Sequence, residues 1–174
     1  MKKIIYSPGE PSGIGPDLII KLSSSKLWED LKIPIVSIGD PKLFIERAAL
    51  LKKKIKIVEL ESLNEVSKNT KGLIQIIKVT KCSNTRPGKL SKSNAQYVLD
   101  NLTYSIKQTM QNEGTALVTG PLSKENIISI DKLFTGHTEY IKKITKSNDV
   151  LMMLASDQLL SLIHISEPTR PSII

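Results

Sequence analysis

Four short stretches of this chain hold residue types that can do chemistry on a small anion. The first is Phe134-Thr135-Gly136-His137-Thr138-Glu139, which carries one of the chain's two histidines. An imidazole can donate to a phosphate, or move a proton near neutral pH. Thr138 adds a hydroxyl; its plainer role would be an N-cap, with Glu139 in the first helical turn. The second stretch is Val118-Thr119-Gly120-Pro121-Leu122-Ser123-Lys124. It lies at the end of an apolar run, where ligands bind in open α/β sheets. Lys124 can reach a phosphate there, or it is a solvated lysine opening a helix.

The third stretch is Pro8-Gly9-Glu10-Pro11-Ser12-Gly13-Ile14-Gly15-Pro16-Asp17. Glycines let a backbone approach a ligand, and a helix N-terminus offers free N–H groups to an anion. No Gly-Lys-Ser/Thr follows, so it is not a Walker A loop, and it lacks the third glycine of the dinucleotide fingerprint. Gly13 and Gly15 therefore mark either a ligand-facing loop or a tight strand-to-helix turn. The fourth is Leu162-Ile163-His164-Ile165, an apolar strand-like run. His164 has no partner of its kind nearby, and a metal needs three or four ligands. The single cysteine, Cys82, excludes an intramolecular disulfide and a cysteine zinc cluster. Beside Lys81 it reads as an incidental thiol.

The elements that must position these groups alternate between strand and helix. Residues 3–7, 33–39, 55–60, 73–79, 115–119 and 150–155 read as strands, most of them as continuous apolar runs. Helices are expected over about 17–22, 41–51, 91–112, 122–130 and 139–147. Pro16 suits the first turn of the first of these, and Asp17 complements its dipole. The longest places Ala95, Val98, Leu99, Leu102, Ile106 and Met110 on one face, and Gly114 can stop it in the left-handed conformation. This alternation argues for an α/β fold with an at least partly parallel sheet covered on its faces.

With 174 residues, 40% of them hydrophobic, the chain can bury a core of one domain or most of one. The net charge of +8 is carried mostly by scattered lysines, without aromatic interleaving or a nucleic-acid-binding signature. Attraction of a phosphorylated small molecule fits this charge equally well, and without a basic stripe no nucleic-acid partner is expected, although a basic nucleic-acid-binding domain remains a rival reading. No apolar run has the length of a membrane span, and Ile4-Ile5-Tyr6 is too short for a signal-peptide core. A cytoplasmic protein with no membrane partner is expected.

In this order and at these spacings, the stretches Pro8–Asp17, Thr119–Lys124, Phe134–Glu139 and Val150-Leu151-Met152-Met153-Leu154-Ala155 resemble the 4-hydroxythreonine-4-phosphate dehydrogenase family. The likeness covers about residues 3–162. It implies a fold like isocitrate and isopropylmalate dehydrogenases, with a mixed sheet flanked by helices, here truncated. It implies a homodimer that oxidises 4-phosphooxy-L-threonine with NAD or NADP and a divalent metal (zinc, magnesium or cobalt). The product then loses carbon dioxide on the route to pyridoxal phosphate. In that chemistry a metal polarises the hydroxyl and the nicotinamide accepts hydride. The resemblance also implies that His137 and Thr138 bind the substrate and that the Gly13–Gly15 loop lines the cleft toward the cofactor; Lys124, from its place at the strand end, is a further candidate contact.

The chain departs from the family pattern at its end. The family places its first metal histidine a few residues after the Met-Met-Leu-Ala strand. Counted from His137, that position is Glu167, and His164 falls three residues early. No metal ligand is thus expected in place. Residues 163–174 read as a non-matching tail, from a frame shift, a cloning scar or an assembly artefact, or as disorder. Two further metal histidines and most of the cofactor site belong to a segment that the family carries beyond this point. Residues 1–162 are therefore expected to be an N-terminal part with half an active site, inactive alone, with apolar sheet edges and faces left uncovered. The rival readings are a related dehydrogenase for another phosphorylated hydroxy acid and a stand-alone phosphate- or nucleotide-binding module.

Overall fold

The computed structural model describes residues 2–156 and, in backbone only, 160–164. They belong to two compact units, Met1–Phe134 and Thr135–Ile174, and each is described by itself.

In the first unit, apolar runs form β1 (Lys3–Ser7), β2 (Ile35–Ile38), β3 (Lys56–Glu59), β4 (Leu73–Ile77) and β5 (Thr115–Thr119). They make one sheet in the order β3-β4-β2-β1-β5, with every neighbouring pair parallel. The mixed sheet expected from the sequence is thus corrected to a wholly parallel one. The connections explain this, because each strand is followed by a helix or a long crossover and none by a tight hairpin.

Five helices serve the first unit: α1 (Gly15–Ser23), α2 (Leu27–Asp30), α3 (Pro41–Leu50), α4 (Ala95–Gln111) and α5 (Lys124–Ile128). One face of the sheet presents Ile5, Val36, Ile38 and Ile77, which bury against Leu60, Leu63 and Val66 with Tyr104 of α4 and Leu117 alongside. Along each strand the alternate residues turn to the opposite face. There Ile4, Tyr6 and Ile35 line an apolar groove of about 170 Å³ with Leu18, Ile19 and Leu22 of α1 and Val118 of β5. Helices thus lie on both faces, as a parallel sheet requires.

Three local differences from the sequence reading have physical causes. Helix α2 was not expected: four residues are too few for periodicity, and burial of Trp28, 1% exposed, anchors it. Met110 was placed on the core face of α4 but is 57% exposed. A helix of 17 residues rises about 26 Å, whereas five-residue strands span about 17 Å, so its last turn outruns the sheet. The edge strands β3 and β5 are not fully buried, since three of the four β3 residues are exposed and Val118 is 46% exposed.

The second unit contains α6 (His137–Thr145) and an antiparallel pair, β6 (Leu151–Ala155) with β7 (Leu160–His164). Helix α6 begins two residues before the expected start at 139. Lys146 closes it in the left-handed region, at φ 55°. No side chain of α6 is buried, and all five residues of β6 are exposed.

Candidate functional site

Because the five strands are parallel, their C-terminal ends share one edge of the sheet. The loops after β1, β2, β4 and β5 gather there, with two of the chemistry-bearing stretches among them.

The loops after β1 and β5 close directly onto each other. Glu10 N donates to Pro121 O at 2.9 Å, and Gly120 N donates to Ser7 O at 2.7 Å. Glycine is what lets the backbones meet. A Cβ on Gly15 would lie 1.8 Å from Pro8 O, and one on Gly120 2.3 Å from the same oxygen. One on Gly9, whose φ is +77°, would lie 2.2 Å from Pro121 O. Gly13 is the looser case, at 3.2 Å from Glu10 O. The glycine at 15 is therefore demanded by backbone packing against Pro8. The loop's carbonyls are also engaged: Tyr6 Oη donates to Gly15 O, and the Arg47 guanidinium donates to Pro11 O and Gly13 O, at 2.9, 2.7 and 3.2 Å. Arg47 also pairs with Asp17 at 2.9 Å.

Glu10 lies inside this junction, 4% exposed. Its carboxylate accepts from Ser12 N at 3.1 Å and from Asn126 Nδ2 at 3.2 Å. Asn126, also 4% exposed, donates to Ser91 O at 3.4 Å. Lys124 opens α5 and is exposed, while Ser123 caps that helix by accepting from Asn126 N at 3.3 Å.

The neighbouring junction is built on Asp40. It caps α3 by accepting from Lys42 N at 3.1 Å, and it accepts from Cys82 N at 2.9 Å. Burial, helped by the Asp40 charge, pushes the Cys82 thiol up to about 12. Burial likewise pushes the Tyr6 hydroxyl up to about 12, and raises that of Tyr97, which accepts from Asp40 N. The thiol is thus a poor nucleophile near neutral pH, in keeping with an incidental cysteine. A raised value means that the folded form holds these protons more tightly than the unfolded chain. The stabilisation is complete below the ordinary values of 9.0 for the thiol and 10.0 for the phenols, and is lost as pH rises toward 12. Urea midpoints measured across that alkaline window should fall steadily; a flat profile would contradict this description.

In the second unit, His137 and Thr138 are half-buried and occupy the first turn of α6. The N-cap is Gly136, with extended backbone, so the alternative role of Thr138 as N-cap is corrected: it lies inside the helix. Its N-cap residue, a glycine, supplies no side-chain cap. His164 ends β7 opposite Leu151, and Glu167 lies outside the described residues.

The structure thus brings Gly13, Gly15 and Lys124 to one edge of the sheet in the first unit, and pairs His137 with Thr138 in the second. Arg47, Glu10 and Asn126 were missed as site-shaping residues because their partners are distant in sequence. Arg47 did leave a signal, since it falls with Leu43, Phe44 and Ala48 on the buried stripe of α3. Among the described residues, no group of three or more His, Cys, Asp or Glu could hold a metal. The described residues therefore do not fit a divalent metal. Nor is any helix among them long and apolar enough to cross a membrane.

Comparison with known proteins fits this frame. The 4-hydroxythreonine-4-phosphate dehydrogenase of Citrobacter koseri is 33% identical over 159 residues, covering 91% of this chain and 47% of its own length. That of Pseudoalteromonas translucida is 35% identical over 157 residues, covering 90% and 46%. The crystal structure of the Klebsiella pneumoniae 4-hydroxythreonine-4-phosphate dehydrogenase superposes with a TM-score of 0.82 at 25% identity, covering 92% of this chain and 49% of that one. The chain spans about half the length of the curated relatives it matches. A family model, described as pyridoxal phosphate biosynthetic protein PdxA, matches residues 30–167, past the limit of 162 drawn from the motifs. With most of its length inside that match, the chain belongs to the pyridoxal phosphate biosynthetic protein PdxA family.

Proposed function

We propose that this chain is the N-terminal part of a 4-hydroxythreonine-4-phosphate dehydrogenase. The complete enzyme would oxidise 4-phosphooxy-L-threonine with NAD or NADP, assisted by a divalent metal, and the product would lose carbon dioxide. The observation that carries this reading is identity above 30% across nine-tenths of the chain to proteins of that name.

The residues present supply part of such a site. The first turn of α6 lies at the positive end of the helix dipole, which favours an anion. His137 and Thr138 stand there to bind the phosphorylated substrate. In the first unit Lys124, at the sheet edge, is a cation that can meet phosphate as a point charge. Gly13 and Gly15 shape the loop bordering that edge, and in this reading that loop lines the cleft toward the cofactor. The metal and most of the cofactor site would belong to a part of the family protein that this chain does not span.

In this reading the motifs cover residues 1–162 and the family model reaches 167, with the tail proposed for 163–174 overlapping that match at 163–167. The exposed apolar strand β6 supports incompleteness, because such a surface is ordinarily covered. The isocitrate/isopropylmalate dehydrogenase-like architecture, homodimeric assembly and cytoplasmic location belong to the same proposal. It assigns no nucleic-acid or membrane partner.

Its test is enzymatic. The 174-residue chain, given 4-phosphooxy-L-threonine, either nicotinamide cofactor and a divalent metal, should reduce no cofactor. Yet it should bind the phosphorylated substrate more tightly than threonine. Turnover by this chain, or equal binding of the two ligands, would overturn the reading.

A further inference from the structure

We propose that Asn126 is a positioning residue that aims Lys124 at the substrate phosphate; this rests on the reading of Lys124 as a phosphate contact given above. Helix α5 has five residues, too few to persist without outside support. Two buried residues supply that support. Ile127, 1% exposed, anchors the helix by its side chain. Asn126, one residue earlier, binds by its amide in two directions. Its Nδ2 donates across 116 positions to the Glu10 carboxylate at 3.2 Å, and to Ser91 O at 3.4 Å. Its backbone N–H meanwhile donates to the Ser123 cap at 3.3 Å. The bond to Glu10 is charge-assisted and lies in a buried place, where such bonds are strongest. One side chain thus ties the loop after β1, the segment leading into α4 and the turn carrying Lys124. The lysine's long stem sets no direction of its own, so the placement of its Cα decides where the ammonium can reach.

The test follows the backbone amide of residue 124 by NMR in the ¹⁵N-labelled 174-residue chain titrated with inorganic phosphate, with urea unfolding measured in parallel. Wild type should show a saturable shift that Lys124→Ala abolishes. Asn126→Ala should weaken phosphate binding about three- to tenfold while the chain stays folded. Asn126→Ser, which keeps one donor, should fall between, and it decides the matter if the alanine variant does not fold. Unchanged phosphate affinity in a folded Asn126 variant overturns the positioning role and leaves Lys124 as a contact. Failure of both variants to fold also overturns it, because Asn126 would then hold the core and not aim a side chain. A wild-type Lys124 signal indifferent to phosphate overturns the parent reading instead.

Discussion

Gly15→Ala should unfold the chain or leave it barely stable. The added Cβ would sit 1.8 Å from Pro8 O, and that oxygen has no room to retreat. It belongs to backbone between β1 and the loop, and Gly120 crowds the same atom from β5. Relief would need the two loops to part, breaking the bonds from Glu10 N to Pro121 O and from Gly120 N to Ser7 O. Overpacking a core ordinarily costs about 1–3 kcal/mol; with backbone on both sides of the clash, a loss of at least about 3 kcal/mol is expected. Gly13→Ala is the control. Its Cβ would lie 3.2 Å from Glu10 O, and alanine also restricts the unfolded chain, so a change within about 1 kcal/mol is expected. The single tryptophan, Trp28, is 1% exposed and reports unfolding by fluorescence in urea. Equal midpoints for the two variants would contradict the packing described here.

Arg47→Met should be nearly as damaging. The substitution keeps much of the buried volume, so its effect isolates the guanidinium. That group, with its side chain 4% exposed, holds Pro11 O, Gly13 O and the Asp17 carboxylate. Removing it strands two carbonyls and a charge whose side chain is 21% exposed. Losing one partner of a buried pair costs about 3–5 kcal/mol; partial hydration of Asp17 puts this case near the lower end, at about 3 kcal/mol. Arg47→Lys should recover part of the loss, because it keeps the charge but not the fork. Adding Asp17→Asn to Arg47→Met should also recover part, since the stranded charge disappears; a strictly additive pair would show that the two residues do not interact. The readout is again the urea midpoint.

Periodicity and loop chemistry reveal this fold to different depths. The alternation of apolar runs with amphipathic ones places nearly every element, because burial on both faces leaves strands uniformly apolar and one-sided burial leaves a helix striped. Helix α4 shows the limit of that reasoning: its stripe continues to Met110, but the sheet beneath ends earlier. Strand orientation was less legible, since an apolar run reads alike in parallel and antiparallel pairing. The candidate site was legible as types of residue and not as partners. His137, Thr138 and Lys124 stand out by local composition. Arg47 with Pro11, and Glu10 with Asn126, are separated by 36 and 116 positions, and only the folded chain joins them. The glycines carry a different kind of signal. Their density marks close backbone approach, and Gly9, Gly15 and Gly120 meet the protein's own backbone.

The central claim is that this chain is the first part of a dehydrogenase whose metal and cofactor groups come from further along the family protein. The most direct measurement is the nucleotide sequence of the source gene through codon 162 and beyond. The account predicts an open frame that, soon after the Met152–Ala155 stretch, encodes a threonine–histidine segment, followed by two further histidines for a metal. A frame that ends after Ile174 in the source gene, with the product present in the cell, would contradict it and leave binding as the chain's function.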